Sequence, residues 1–123
     1  MLFTLPIGDL LSSYTGDSRE FTFSGPIFDG YYSDIKFLSD LSFHIQIMTL
    51  DNGVHVTWSY LKTTVEYEGK KEIISLDEFD RTWKTQLEKG DPDDISEIDM
   101  KNHSIDLGPV IREEIIMACH NNF

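Results

Sequence analysis

Residues 41–67, LSFHIQIMTLDNGVHVTWSYLKTTVEY, decide the fold. The first part alternates apolar with polar residues, which is the period-two pattern of a strand with one buried face. The apolar members of this alternation are Leu41, Phe43, Ile45 and Ile47. The turn Asp51-Asn52-Gly53 follows, and its Asn-Gly pair predicts a β-hairpin because both residue types tolerate positive φ. We therefore expect this long hairpin to be the centre of an antiparallel sheet.

The return strand changes its apolar face part-way along. Val54, Val56, Trp58 and Tyr60 share one face, and Leu61, Thr63, Val65 and Tyr67 share the other. Such a change within one strand requires a bulge or a sharp bend, which lets a strand leave one layer for another. The pattern predicts a strongly bent antiparallel sheet, either barrel-like or two-layered.

The last part of the chain predicts a helix over residues 109–118. Pro109 suits the first helical position, where no N–H is needed. An apolar stripe follows at helical spacing, made by Val110, Ile111, Ile115 and Ala118. Arg112, Glu113 and Glu114 fall outside this stripe, and we place the two glutamates in the first turns, where the helix dipole favours negative charge. With this helix packed on the sheet, the fold class is α+β.

Residues 75–87 are ambiguous. Ser75 and Glu78 fit a capping box, and Leu76, Phe79, Trp83 and Leu87 fall at helical spacing. Phe79 and Trp83 would also share one face of a strand. The local signals favour a short helix slightly.

Composition indicates one domain over residues 1–123. The chain is 40% hydrophobic, and no apolar run approaches the roughly 20 residues of a membrane span. The first residues lack the basic region of a signal peptide. Cys119 is the one cysteine, which excludes an internal disulfide. We expect a cytoplasmic protein that does not associate with membranes.

Charge limits the partners that the chain can bind. Lys and Arg number 10 against 22 Asp and Glu, a formal net charge of −12. A chain this acidic repels phosphate backbones unless its cations are gathered locally, so direct nucleic-acid binding is disfavoured. A basic protein partner fits better, and acidity kept only for solubility is an equally compatible alternative.

The sequence shows little sign of catalysis or metal binding. It contains no G-x-G-x-x-G, Walker, H-E-x-x-H or G-x-S-x-G motif. His44 and His55 lie on opposite arms of the hairpin, where they could face each other and bind metal or move protons, but polar strand residues are far commoner. A calcium-binding EF-hand loop that began at Asp91 would need Gly at its sixth position and Glu at its twelfth, and the chain has Ser96 and Asn102 there. We predict no catalytic residues, no metal and no cofactor.

Residues 104–118, SIDLGPVIREEIIMA, resemble the C-terminal signature of the YceD family, the large ribosomal RNA subunit accumulation proteins. That signature is Ile-Asp-Leu, a small turn, and a helix rich in Arg-Glu-Glu and aliphatic residues. The rest of the layout is similar along nearly the whole chain. Leu10-Leu11 comes early, strands that end in the residue pair Thr64-Val65 follow, and the acidic loop over residues 91–99 comes next.

The chain also departs from that family. Many members carry Cys-x-Arg-Cys-Leu after the Thr-Val strand, and here Gly69 and Glu72 stand where the cysteines would be, with Lys71 in place of the arginine. The resemblance therefore implies that any metal or redox role of those cysteines is lost. It also implies an extended conformation for residues 75–87, against the local helix signal.

The resemblance implies a non-enzymatic factor in the accumulation or processing of large-subunit ribosomal RNA. Its partners would be basic ribosomal or assembly proteins, with the RNA contacted indirectly. The candidate partner-binding residues are Asp91, Asp93, Asp94, Asp106, Arg112, Glu113 and Glu114. Secondary candidates are Lys70 and Lys71, which could contact a phosphate, and Tyr31 and Tyr32, which could be aromatic anchors. Loop aromatic residues more often fold back onto the edge of a core, and we favour that position for the two tyrosines. The alternatives are a small acidic adaptor or inhibitor domain outside ribosome assembly and, ranked last, a small-molecule enzyme using His44 and His55.

Overall fold

Three long strands form the centre of the structure, a computed structural model that describes residues 2–121. The strands are β1 (Thr4–Pro6), β2 (Ser18–Gly25), β3 (Ile35–Phe37), β4 (Leu41–Leu50), β5 (Gly53–Tyr67), β6 (Lys70–Lys84), β7 (Ile95–Glu97) and β8 (Ser104–Asp106). The helices are α1 (Gly8–Leu11) and α2 (Gly108–Asn121). Strands β4, β5 and β6 are consecutive and antiparallel, so the hairpin predicted over residues 41–67 is confirmed.

The main sheet has the strand order β2-β4-β5-β6-β7, and β3 pairs with the far end of β5. These pairs are antiparallel except for β6 and β7, which are parallel. Strands β1 and β8 form a separate two-stranded sheet. The predicted α+β class, a mainly antiparallel sheet with a C-terminal helix, is confirmed.

The expected strong bend is wrong, because the main sheet is neither closed nor strongly curled. The predicted bulge does exist: Ser42 pairs with Lys62 and His44 with Ser59, so β5 has one extra residue between these pairs. Tyr60 in the bulge has a φ of 57°, in the left-handed region that bulky residues rarely adopt. Because β6 pairs with β5 in one register on both sides of Tyr60, from Gly53 to Tyr67, the bulge changes the buried face without moving β5 to another layer.

Burial confirms the change of face within β5. The buried residues before the bulge are Val54, Val56 and Trp58, and those after it are Leu61, Thr63 and Val65. The inner face of the main sheet is the side of Trp58 and of its cross-strand partners Ile45 and Phe79. The outer face is the opposite side, which carries His44 and His55 and is more polar.

The two tight turns of the main sheet differ from the expectation. None of the residues Asp51, Asn52 and Gly53 has a positive φ, so the prediction that the Asn-Gly pair acts through the left-handed conformation is wrong. The mirror-image turn lies instead between β5 and β6, where Glu68 and Gly69 have φ values of 52° and 77°. Gly53 is required for space: a Cβ there would lie 1.9 Å from the carbonyl oxygen of Trp83.

The close approach at Gly53 gives a stability prediction. Gly53→Ala should lower the free energy of unfolding by about 1–3 kcal/mol, because the added methyl must push the β5 and β6 backbones apart. Gly25→Ala in β2 is the control, since its Cβ would meet only the Phe23 ring at 3.8 Å. Urea denaturation measures both variants. Equal stability of the two variants would contradict the role assigned to Gly53.

The helix interpretation of residues 75–87 is wrong, since most of that segment lies in β6. Phe79 pairs with Trp58, and Trp83 pairs with Val54, so both aromatic rings join the inner face. Their spacing of four residues fits a helix and a strand equally well. The pairing with β5 decides between the two, and it is a long-range interaction that local sequence does not show.

Helix α2 packs on the inner face with its predicted apolar stripe. Ile111 and Ile115 are fully buried, and the helix contacts β6. The first turn contains no acidic residue, so the placement of Glu113 and Glu114 in the first turns is wrong. The helix start is held instead by the Asp106 Oδ1, which accepts a hydrogen bond from the Gly108 N–H at 2.9 Å.

Candidate functional site

The acidic loop, residues 91–99, follows β6 and includes β7, and its first carboxylate, Asp91, has a structural role. One carboxylate oxygen accepts a hydrogen bond from the Lys84 Nζ at 2.7 Å, and the other accepts one from the Glu88 N–H at 2.7 Å. The hydrogen bond from Lys84, followed by that from Glu88, lowers the pKa of Asp91. The side chain is only 15% exposed. Asp91 therefore fixes the loop, and its prediction as a partner-binding residue stays a prediction, made with a carboxylate that is already held by Lys84 and Glu88.

This role predicts a pH-dependent effect of Asp91→Asn. A lowered pKa means that ionised Asp91 stabilises the fold above the ordinary aspartate value of 3.8, and that this contribution is lost as the pH falls through the folded-state pKa. The variant should therefore melt below wild type at neutral pH and approach it in acid. Asp93→Asn, at an exposed position, is the matched control and should follow wild type. Thermal melts between neutral and acidic pH test this, and an equal gap at every pH would contradict it.

The remaining carboxylates of the loop are of two kinds. Asp93, Asp94 and Glu97 are exposed. Asp99 instead accepts hydrogen bonds from the side chain and N–H of Asn102 and from the N–H of Lys101, and these bonds lower its pKa. Within residues 2–121, no three His, Cys, Asp or Glu side chains come together as a metal site would require.

The candidate residues of α2 have different environments. Glu114 is 15% exposed and forms an ion pair with the Arg81 Nη2 at 2.7 Å, on the inner face between α2 and β6. Glu113 is exposed, and its carboxylate lies 3.9 Å from the same nitrogen. Arg112 makes two hydrogen bonds to Asp34, at 2.6 and 3.3 Å. Glu114 is therefore a packing contact of the helix, and Glu113 is the carboxylate that faces solvent.

The structure brings some of these exposed carboxylates to one edge of the main sheet. Asp94 directly precedes Ile95, which pairs with Thr82, and Glu97 pairs with Lys84. Glu113 approaches Arg81 from the helix side, so these carboxylates border the segment of β6 from Arg81 to Lys84. We call Asp93, Asp94, Glu97 and Glu113 the acidic edge.

The secondary candidates lie elsewhere. Lys70 and Lys71 are exposed at the start of β6, at the opposite end of that strand from β7. Tyr32 is buried and donates a hydrogen bond to the Gly108 carbonyl at 2.7 Å, and burial raises the pKa of its hydroxyl. Tyr31 is half-buried and makes an edge contact with Phe3. Tyr32 is thus part of the core, as expected for a loop aromatic that folds back onto a core edge, and its role as a partner anchor stays a prediction.

The two histidines do not face each other. His44 pairs with Ser59, and His55 pairs with Met48, so the outer-face pair of Gln46 and Thr57 lies between them. Each histidine has its own partners. His55 contacts Asp80 at 3.0 Å and Thr82 at 2.8 Å, and His44 contacts Thr22 at 3.1 Å and Glu20 at 3.5 Å. A shared metal or proton-transfer site across the hairpin is therefore not formed.

Cys119 lies on the buried side of α2. Burial raises the pKa of its thiol, and the nearby carboxylates of Glu72 and Glu68 raise it further. A raised pKa disfavours the thiolate, which is the nucleophilic form. This environment suits a packing residue.

Sequence reasoning missed the two ion pairs that fix the neighbourhood of the acidic edge. Arg81 and Lys84 fall within residues 75–87, for which the local pattern favours a helix. A helix there does not predict which carboxylate each of the two cations would contact. An alternation of Phe79, Arg81 and Trp83 on one strand face was the available signal, because a cation between two aromatic residues on an inner face needs a carboxylate partner.

Comparison with known proteins adds no further constraint: no protein-family model matches the chain, and no curated protein or solved structure matches it. The resemblance to the YceD family therefore stays a prediction. Within residues 2–121, neither helix has the length and apolar character needed to cross a membrane.

Proposed function

We propose that this protein is a non-enzymatic binding factor that engages a basic protein surface through its acidic edge. The observation that carries the proposal is the exposure of Asp93, Asp94, Glu97 and Glu113 at one border of the sheet. Within residues 2–121, Asp93, Asp94 and Glu97 form no ion pair, and Glu113 makes only the long contact to Arg81. Their charge is thus available to an incoming cation.

The distribution of cations supports this assignment. Several of the basic side chains are held by carboxylates of the same chain, in the pairs Arg19–Asp9, Arg81–Glu114, Lys84–Asp91 and Arg112–Asp34. The excess negative charge, −12 for the whole chain, then lies mainly on carboxylates that face solvent. A field of one sign raises the encounter rate with an oppositely charged partner, and salt screens that gain.

The proposed setting is assembly of the large ribosomal subunit in the cytoplasm. It rests on the resemblance of residues 104–118 to the YceD signature. Basic ribosomal or assembly proteins would be the direct partners, and ribosomal RNA would be reached through them, since the acidic edge repels phosphate. Asp106 of that signature caps α2, and Arg112 pairs with Asp34, so both would act by shaping the helix next to the site.

Charge neutralisation tests the acidic edge. A variant carrying Asp93→Asn, Asp94→Asn, Glu97→Gln and Glu113→Gln should associate with isolated large-subunit precursors at least ~10-fold more slowly at low salt. The difference should shrink at high salt, because charges further apart than the Debye length, about 10 Å at 0.1 M, are screened. Stopped-flow or biolayer measurements give the rates.

The control neutralises the same number of exposed carboxylates elsewhere, at Asp29, Asp40, Glu66 and Glu68. It has the same net charge as the acidic-edge variant. If both variants slow association equally, only net charge matters and the acidic edge is not a site.

The second candidate is a small acidic adaptor or inhibitor domain that binds one basic protein outside ribosome assembly. It shares the acidic edge and differs only in the partner. It is supported by the same exposed carboxylates, and it does not require the ribosomal setting, which rests on residues 104–118 alone.

A further inference from the structure

Strand β2 forms one border of the main sheet, and its outer backbone groups are unpaired. Within residues 2–121, β2 pairs only with β4, in an unbroken register from Ser18 to Gly25. The Thr49 N–H donates to the Asp17 carbonyl at 2.7 Å, and Gly16, with a φ of 94°, forms a bulge there. Hydrogen bonding alternates along an antiparallel pair, so the N–H and C=O groups that point away from β4 belong to Ser18, Glu20, Thr22 and Ser24.

This edge has few of the devices that usually protect one. Natural edge strands are short, or carry lysine, proline or a bulge along their length. Strand β2 has eight residues, SREFTFSG, with no proline or lysine. Of its two charged side chains, Arg19 is held by Asp9, and Glu20 lies 3.5 Å from His44 of β4. The opposite border of the sheet is protected, since β7 has only three residues and β6 exposes Asp77, Glu78 and Asp80.

An apolar crevice lies beside the unprotected edge. It has a volume of about 150 Å³, lies between β1 and β2 on the inner-face side, and reaches Thr22 on the free edge. Its lining includes Leu2, Leu5, Phe21 and Phe23. Phe21 is 37% exposed. A strand added to β2 would therefore place an inner-facing side chain over apolar surface, as in recognition by strand addition.

We propose that a second copy of this chain occupies the edge, with the two β2 strands antiparallel about a two-fold axis at Phe21. Backbone hydrogen bonds between the two copies can form only through the four residues whose N–H and C=O groups point away from β4. One register uses all four of them, with Ser18 opposite Ser24 and Glu20 opposite Thr22. A shift one way places Glu20 opposite Glu20. A shift the other way places Ser18 opposite Pro26, which has no N–H.

The side chains agree with this register. On the inner face, the two Phe21 side chains meet at the axis beside both crevices, and Arg19 lies opposite Phe23 of the second copy. Glu20 lies opposite Thr22 on the outer face, so no like charges are opposed across the pair. The two main sheets become one continuous sheet, and the isologous contact is closed.

The dimer has a salt dependence opposite to that of the acidic edge. Two chains of charge −12 repel each other, and salt screens this repulsion, so dimerisation should strengthen as salt rises. Binding of a basic partner should weaken. The two proposals can therefore fail separately.

The test measures the mass of the purified full chain by sedimentation equilibrium at low and high salt. Wild type should reach twice the monomer mass at high salt. Thr22→Pro should stay monomeric, because it removes an outward N–H without touching the β4 ladder. Thr22→Val is the matched control: it also loses the hydroxyl contact to His44, keeps the N–H, and should dimerise.

Amide hydrogen exchange gives a readout that needs no variant. The N–H groups of Ser18, Glu20, Thr22 and Ser24 should become protected as protein concentration rises at high salt. Wild type that stays monomeric at high salt, with these amides exchanging freely at all concentrations, would overturn the proposal and leave the edge to a strand of another protein. A dimer that survives Thr22→Pro with its fold intact would also overturn it.

Discussion

Replacing Trp58 with alanine should lower the free energy of unfolding by about 3–5 kcal/mol, the usual range for a large buried aromatic residue. Trp58 is fully buried at the middle of the inner face. Its ring stacks on Phe79 at a centroid distance of 4.9 Å and an interplanar angle of 13°, and lies 6.2 Å from the ring of Trp83. The substitution removes contacts to β4 and β6 together, so the cavity cannot collapse without moving paired strands.

Two further variants separate the contributions of Trp58. Within residues 2–121, the indole Nε1 is buried without a hydrogen-bond partner, so Trp58→Phe loses packing but no hydrogen bond and should cost less than Trp58→Ala. Tyr14→Ala, at a side chain that is 86% exposed, should change stability by less than about 0.5 kcal/mol. Urea denaturation followed by far-UV circular dichroism suits all three variants. A loss below about 1 kcal/mol for Trp58→Ala would contradict the position of the ring in the core.

Ile111→Ala should cost about 2–4 kcal/mol, as buried aliphatic truncations do. Ile111 is fully buried in the first half of α2, and its N–H donates to the Leu107 carbonyl at 3.1 Å, which closes the first helical turn. The side chain therefore joins the helix start to the inner face of the sheet. Truncation leaves a cavity at a point where the ion pair of Arg81 with Glu114 already fixes the helix against β6.

The control for Ile111 is Met117→Ala, on the solvent side of the same helix, where the side chain is 46% exposed. It should fall within a few tenths of a kcal/mol of wild type. Equal effects of the two substitutions in denaturant melts would mean that α2 presents a different face to the sheet.

The local sequence pattern predicts correctly those elements whose signal lies within a few consecutive residues. The alternation from Leu41 to Ile47 predicts β4, and the change of parity after Tyr60 predicts the bulge in β5. The apolar stripe through Ile111 and Ile115 predicts the buried face of α2. In each case the repeat of apolar residues in the sequence is the repeat of the strand or helix that they form.

The errors come from long-range interactions. Strand β6 depends on pairing with β5, and β1 pairs with β8 from the other end of the chain, Leu5 opposite Ile105. The overestimated bend has the same origin, since β5 and β6 pair in one register on both sides of the bulge, which keeps the bulged strand in its sheet. A helix over residues 75–87 offers no defined partner for Asp91 or Glu114, so the local pattern predicts solvent-facing carboxylates where the structure has two ion pairs.

The two proposed contacts use opposite borders of the main sheet. The acidic edge borders β6 and β7, and the proposed dimer contact is β2. A dimer through β2 would leave both acidic edges exposed, at the far ends of a continuous sheet. Two sites in one assembly would increase the apparent affinity for a partner that presents more than one basic patch.

The most direct measurement of the central claim is a binding titration of the wild-type protein against isolated large-subunit precursors, with free ribosomal RNA as the comparison. We expect saturable binding to the precursors that weakens as salt rises, and no comparable binding to the free RNA. Tight binding to bare RNA that survives neutralisation of Asp93, Asp94, Glu97 and Glu113 would contradict the acidic-edge mechanism. Absence of binding to the precursors at low salt would contradict the ribosomal setting and favour the adaptor function.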